Sequence, residues 1–197
     1  MEIVPLGECG EVLGGGTPSK KNQEYWNGTV PWITAKEMRS FWLIDSSLKI
    51  TEKAIEESSA RIIPPFSVIF VVRGSILYRK VPVGVNRMKC TVNQDMKVIV
   101  PKCGLKAEYL ARVILAKNEE LLGMVEVAGN SAGKLETSRW KSLDIPIPSE
   151  NTQSEIIEVF RKVDKVIAEL RNLQAETEAA LTAFVPALLA KAFRGEL

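Results

Sequence analysis

Apolar residues in the last quarter of the chain recur at alternating steps of four and three. They are Ile156, Phe160, Val163, Ile167 and Leu170, then, past Gln174 and Thr177, Leu181, Phe184 and Leu188. This is one heptad register with apolar a and d positions, the pattern of a helix packed along another helix. From Ser149 on there is one proline, Pro186, and one glycine, Gly195. The spacing predicts a helix from about Thr152 to Phe193, on the order of 60 Å long. A neighbouring domain of ~150 residues has a radius of gyration of roughly 15 Å and cannot cover it. The stripe therefore asks for a second long helix, such as that of a second copy of the chain. The competing arrangement is a hairpin that breaks at Pro186, which costs an intrahelical hydrogen bond, or in the polar middle. Gln174 and Thr177 weaken the seam but fix register and orientation, the usual role of polar core positions.

Upstream the pattern changes. Short β-branched runs flanked by turn residues predict strands at 30–34, 67–72, 83–86 and 97–100. Helices are predicted at 35–41, 51–59 and 106–122, the second with Thr51 placed to cap the amide of Lys53 or Ala54. The fold class expected is α+β: a mixed α/β globular domain over residues 1–148, then a long coiled-coil-forming helix over 149–197.

Composition supports a globular core, with 46% hydrophobic and 25% charged residues among 197. The net charge is only +2, but it averages over unlike regions. Arg61, Arg73, Arg79, Lys80, Arg87, Lys89 and Lys97 face only Asp95 in their stretch, and no acid lies between Arg73 and Lys89. Gly74, Ser75, Tyr78, Gly84 and Asn86 are interleaved there. Cations for phosphates, with Arg and Asn for base edges, suit a DNA duplex. A second cluster, Ser19-Lys20-Lys21-Asn22-Gln23, follows a turn-rich Gly14-Gly15-Gly16-Thr17-Pro18. On charge alone, a solvated basic face reads equally well.

Catalytic chemistry finds little support. The chain has no histidine, which removes Ser-His-Asp triads and HExxH zinc sites together. Its three cysteines, Cys9, Cys90 and Cys103, are widely spaced, so neither a zinc site nor a disulfide framework is expected. The Gly14-Gly15-Gly16 run lacks phosphate-loop spacing. Ile63-Pro64-Pro65-Phe66 resembles the motif of amino-methyltransferases, but Ile63 cannot accept a hydrogen bond from an amine, so it is read as a rigid turn. The strand-like segments are nearly free of acids, so no active site is expected. The longest apolar run, 68–72, is far short of the roughly 20 residues that span a membrane. With no signal peptide evident at Met1, a cytoplasmic protein is expected.

Several segments together resemble one family. Gly15-Gly16-Thr17-Pro18-Ser19-Lys20, Glu24-Tyr25-Trp26-Asn27-Gly28 and Val30-Pro31-Trp32-Ile33-Thr34 resemble the opening of a target recognition domain in the specificity subunits of type I restriction-modification systems. Val72-Arg73-Gly74-Ser75 and Val92-Asn93-Gln94-Asp95 are similar to later segments of that domain. Leu143-Asp144-Ile145-Pro146-Ile147-Pro148 with Gln153 and Ile156 resembles the entry into the family's long helix, and Pro186 to Leu197 its end. Full subunits of the family carry two recognition domains and two such helices; this chain has one of each, a half-length form. Thr152 stands where the family usually has Glu.

The resemblance implies a non-catalytic DNA reader. It would direct a methyltransferase subunit, which methylates adenine N6, and an ATP-dependent restriction subunit. The chain itself would hold no cofactor, since S-adenosylmethionine, ATP and magnesium belong to those partners. The residues expected at double-stranded DNA are Lys20, Lys21, Lys36, Arg73, Ser75, Tyr78, Arg79, Lys80, Asn86, Arg87 and Lys89. The heptad residues Ile156, Phe160, Val163, Ile167, Leu170, Gln174, Thr177, Leu181, Phe184 and Leu188 would form a homodimer, whose twofold symmetry would match a bipartite, inverted DNA site. The alternatives are a stand-alone DNA-binding or coiled-coil module, a vestigial recognition fragment without active partners, or a stand-alone enzyme on nucleic acid.

Overall fold

The computed structural model describes residues 2–127 and 132–196, so Leu197, which ends the last resembling segment, lies outside the described residues. In chain order the elements are β1 (Glu2–Pro5), β2 (Gly10–Gly14), β3 (Trp26–Ile33), β4 (Trp42–Leu43), β5 (Lys49–Ile50) and α1 (Glu52–Glu56). Next come β6 (Val68–Val71), β7 (Val83–Asn86), β8 (Thr91–Val92), β9 (Met96–Pro101), α2 (Ala107–Ala116) and α3 (Asn118–Gly123). The remainder is β10 (Val125–Glu126), β11 (Lys134–Leu135), α4 (Thr137–Lys141), β12 (Asp144–Ile147) and α5 (Glu150–Phe193). The chain forms two compact units, residues 1–153 and 154–197. The α+β class is as expected.

The first unit is built on a five-stranded sheet of order β2-β9-β6-β7-β4. Its β2, β9, β6 and β7 neighbours pair antiparallel, and β4 pairs parallel with β7. Strand β6 is buried along its whole length, which its Val-Ile-Phe-Val sequence permits in a central position. Helix α2 lies against β6, β7 and β9 and buries Leu110 and Ile114 completely. Trp140 of α4 closes the core edge-on to Phe70, with ring centroids 5.0 Å apart, a favoured aromatic geometry. A second sheet, β5-β3-β8, joins antiparallel and parallel pairs around β3.

Strands predicted at 67–72, 83–86 and 97–100 are β6, β7 and β9, and 30–34 falls in β3. Thr51 caps α1, its hydroxyl accepting from the Ala54 amide at 3.2 Å. The helix expected at 35–41 is instead a series of turns. The Thr34 amide and hydroxyl both donate to the Glu37 carboxylate, at 3.1 and 2.5 Å. That local closure offers the backbone an alternative to a helical ladder. The helix expected at 106–122 divides at Lys117 into α2 and α3. There the Asn118 side chain turns to bind both backbone groups of Val81, at 3.0 and 2.7 Å. Strands β1 and β2 were not predicted.

At the end of this unit β1 pairs with β12, and α5 begins. Ser149 caps it, with the Thr152 amide donating to its hydroxyl at 3.3 Å. Gln153 is fully buried. Its Nε2 donates to the carbonyls of Gly104 and Pro148, at 2.9 and 3.1 Å, and its Oε1 accepts from the Lys106 amide at 2.9 Å. The second unit is one helix, continuous through Pro186. The hairpin breaking at Pro186 is therefore not the arrangement adopted.

Candidate DNA interface

Three segments far apart in sequence, with Leu48 from a fourth, meet at one cleft of about 370 Å³. The loop after β2 supplies Thr17 and Lys20, the end of β3 supplies Trp32, Thr34 and Lys36, and the turn before β9 supplies Asn93, Gln94 and Asp95. Glycine permits the approach of the first to the third. A Cβ on Gly15 would lie 2.1 Å from the Asn93 carbonyl oxygen, and one on Gly16 would lie 2.4 Å from the Ser59 backbone. The Gly16 amide donates to the Val92 carbonyl at 2.9 Å, and the Asn93 amide to Ile33 at 3.0 Å. Trp32 Nε1 donates to the Gly16 carbonyl at 3.0 Å, and Trp26 stands edge-on to Trp32 at 5.2 Å.

The cleft carries two exposed cations, Lys20 and Lys36. Burial pushes the nearby Glu37 carboxyl up, but hydrogen bonds from Thr34 and Ser47 outweigh it and hold the group below its usual range. Both Glu37 oxygens accept hydroxyl donations, one from Thr34 in its own turn and one from Ser47 ten residues on. Asn93 is buried, and its Nδ2 donates to Asp95 at 3.2 Å. The Asp95 carbonyl accepts from the Val72 and Arg73 amides, at 2.8 and 3.2 Å. That ties the Arg73-Gly74 turn to the same segment.

The remaining candidates lie on three turns. Arg73, Ser75, Tyr78, Arg79 and Lys80 are exposed on and around the short helical turn Ser75–Tyr78. Lys80 shares a separate depression of about 250 Å³ with Arg39 and Asn118. Arg87 and Lys89 are exposed on the turn after β7. The Arg87 guanidinium sits 4.1 Å above the centre of the Trp42 ring, a contact that restricts its long side chain. Lys21 is exposed in the turn closed by the Asn22 amide and the Ser19 carbonyl at 3.2 Å.

Asn86 is a correction. It is completely buried. Its Oδ1 accepts from the Ser67 amide at 2.8 Å, while its Nδ2 donates to the carbonyls of Pro64 and Met88, each at 2.8 Å. An amide so engaged holds the turn before β6 to the turn after β7 and has nothing left for a base edge.

On α5 the a and d residues from Phe160 to Leu188 are exposed. Thr177 bends its hydroxyl back to the Leu173 carbonyl at 2.7 Å, which lowers the polarity it presents to the seam. Val159, Val166 and Leu173 form a second exposed apolar row at seven-residue spacing. It widens the stripe beyond the positions read from sequence.

A family model of the type I restriction modification DNA specificity domain matches residues 1–179. The chain belongs to this family. It is 37% identical to the EcoR124I/EcoR124II specificity subunit of Escherichia coli over 165 residues, covering 83% of this chain and 41% of that one. It is 34% identical to the MjaIX specificity subunit of Methanocaldococcus jannaschii over 170 residues, covering 84% and 38%. The chain thus spans about two-fifths of the length of the curated relatives it matches. Among solved structures, the HsdS subunit of Thermoanaerobacter tengcongensis superposes with a TM-score of 0.67 at 22% identity, over 100% of this chain and 45% of that one. A chain from a study of complex assembly and conformational transition in a type I R-M system gives 0.77 at 23%, over 100% and 46%. These two show the fold.

Of the segments that carried the resemblance, those at 15–20, 30–34 and 92–95 line the cleft, while those at 24–28, 72–75, 143–156 and 186–196 do not. Sequence reasoning quoted Asn93 in a motif but gave it no role, and missed Trp42 as the platform for Arg87. Trp42 had no local signal, since Arg87 reaches it through the β4–β7 pair, whereas the Asn93 side chain pairs with Asp95 only two residues on. Among the described residues no His/Cys/Asp/Glu cluster could hold a metal, and no helix is long and apolar enough to cross a membrane.

Proposed function

We propose that this chain is the DNA-specificity component of a type I restriction-modification complex and works as a homodimer on a bipartite, twofold-symmetric site. The observation that carries the reading is that the first unit exposes cations on several turns while the long helix carries an apolar stripe unsatisfied within its own unit. The cations include Lys20, Lys36, Arg73, Arg79, Arg87 and Lys89, all exposed. The stripe includes Leu170, 55% exposed, and Leu181, 66% exposed. Stripes of this kind are covered by another helix. Two identical readers held antiparallel meet the same half-site on opposite strands. Methyl transfer to adenine and ATP-dependent restriction belong to the methyltransferase and restriction subunits. Those partners hold S-adenosylmethionine, ATP and magnesium, and the complex works in the cytoplasm.

Two measurements test the reading. Light scattering at micromolar concentration gives about twice the chain mass, and Leu170→Asp with Leu181→Asp gives monomers, because each substitution buries a charge in an apolar seam. Methylome sequencing of a host that expresses this chain with its methyltransferase subunit finds one inverted bipartite site. An asymmetric site, or a wild-type monomer at tens of micromolar, refutes the homodimer.

A further inference from the structure

The segment Ile63-Pro64-Pro65-Phe66, read from sequence as no more than a rigid turn into the strand that follows, has a feature that folding does not explain. Phe66 is 60% exposed, and its φ is +59°. Asn27, at +61°, is the other non-glycine residue with positive φ among the described residues, and Asn is an ordinary occupant there. A bulky aromatic is not, because its Cβ crowds the carbonyl in the left-handed region. Phe66 thus combines backbone strain with an apolar ring in water. Strain of this kind collects where a side chain must be held in place for function.

The backbone around it is fixed. The Phe66 amide donates to the Asn86 carbonyl at 2.8 Å. The Ser67 amide and the Pro64 carbonyl are both held by the Asn86 side chain, and the Ser67 hydroxyl donates to the Pro64 carbonyl at 2.8 Å. Phe66 is therefore set across the strand pair from Arg87, whose guanidinium rests on Trp42, with Lys89 exposed just beyond. An exposed aromatic residue on a fixed backbone, at the strand-pair position opposite Arg87 and two residues from the level of Lys89, in a stretch whose one acid is Asp95, fits the edge of a DNA duplex. The cations face phosphate or guanine, and the ring faces the one apolar group the major groove offers, the thymine 5-methyl.

We propose that Phe66 is a base-reading residue that seats its ring on the 5-methyl group of a thymine in each half-site. This rests on the DNA-specificity reading above. The test uses the full chain and duplexes selected by it from a random pool, with each thymine replaced in turn by deoxyuridine, which lacks only that methyl. In the wild type one position per half-site weakens binding about threefold to fivefold. In Phe66→Ala the same replacement has no effect. Phe66→Gly relieves the left-handed strain, so it raises Tm by about 2–4 °C while weakening DNA binding. A structural role would lower both together. The proposal is overturned if the deoxyuridine effect persists in Phe66→Ala, if Phe66→Ala weakens every sequence alike, or if no thymine position responds in a wild type that still selects a sequence. A wild type that selects no sequence overturns the DNA-specificity reading as well, which separates the two failures.

Discussion

Replacing Asn86 by alanine separates a clamp from a base reader. The clamp holds three backbone groups in a completely buried setting: the Ser67 amide, the Pro64 carbonyl and the Met88 carbonyl. Ser67 is itself fully buried, so its amide would be left without a partner, a loss of about 1–3 kcal/mol. The Pro64 carbonyl keeps the Ser67 hydroxyl, and each lost donation to a carbonyl adds about 0.5–1 kcal/mol. The sum is about 3 kcal/mol, a large share of the roughly 5–15 kcal/mol that holds a domain folded. For a chain of this size that lowers Tm by about 6–12 °C. Thermal unfolding followed by circular dichroism measures it, and amide exchange at Ser67 locates the loss. Asn86→Asp preserves the acceptor for Ser67 but removes both donations and buries a charge, so it fares no better. An Asn86→Ala protein that melts within about 1 °C of wild type yet loses DNA affinity would refute the clamp and restore Asn86 as a reader.

Other outcomes follow from the same hydrogen bonds and burial. Gln153→Ala orphans the Lys106 amide and two carbonyls, and lowers Tm by about 4–8 °C for a loss of about 2 kcal/mol. A thiol reagent applied to the folded chain modifies the exposed Cys103, while the buried Cys9 and Cys90 react after unfolding. Burial pushes the Cys9 thiol up to about 11 and the Cys90 thiol up to about 12, from 9.0. The unfolded chain therefore loses these protons first, and stability is fully present below pH 9 and declines as pH rises toward 11–12. Denaturant midpoints across that range check the sign, and Cys90→Ala should flatten the decline. Deleting one in-phase heptad from α5, about 10 Å of helix, should shift the preferred spacer of the methylated site by a few base pairs at roughly 3.4 Å each.

The parts legible in sequence were those written in local periodicity. The heptad of α5 and the β-branched runs of β6, β7 and β9 need only neighbouring residues to declare themselves. The helix expected at 35–41 failed because the Thr34 and Glu37 side chains compete for the same backbone. The break at Lys117 was invisible because Asn118 answers to Val81, a residue on a distant stretch. Sheet order was equally hidden, since β2 pairs with β9 by placing Gly14 beside Lys97, and no short-range signal marks such a pairing. The same holds for the candidate interface. Charge marked Arg73, Arg79, Arg87 and Lys89 as exposed, but Asn86 stood among them with nothing to show that a turn twenty residues upstream would bury it.

That contrast between Asn86 and its neighbours bears on how one fold can carry many specificities. The cleft is assembled through backbone groups: Gly16 to Val92, Asn93 to Ile33, and Trp32 to the Gly16 carbonyl. The close approaches require glycine at 15 and 16 and the indole of Trp32, and are indifferent to what the turns between them display. Asn86 extends the principle to the turns themselves, fixing the Pro64–Ser67 backbone and the Met88 carbonyl from inside. The side chains at 66, 79, 87 and 89 then project from a backbone they do not hold together. Exposed substitutions of this kind usually change stability by no more than about 0.5 kcal/mol, and at Phe66 the strain makes replacement favourable. The residues that face outward are thus free to vary while the frame that aims them is not. A change of half-site should therefore map to these exposed positions and leave Asn86, Gly15, Gly16 and Trp32 in place.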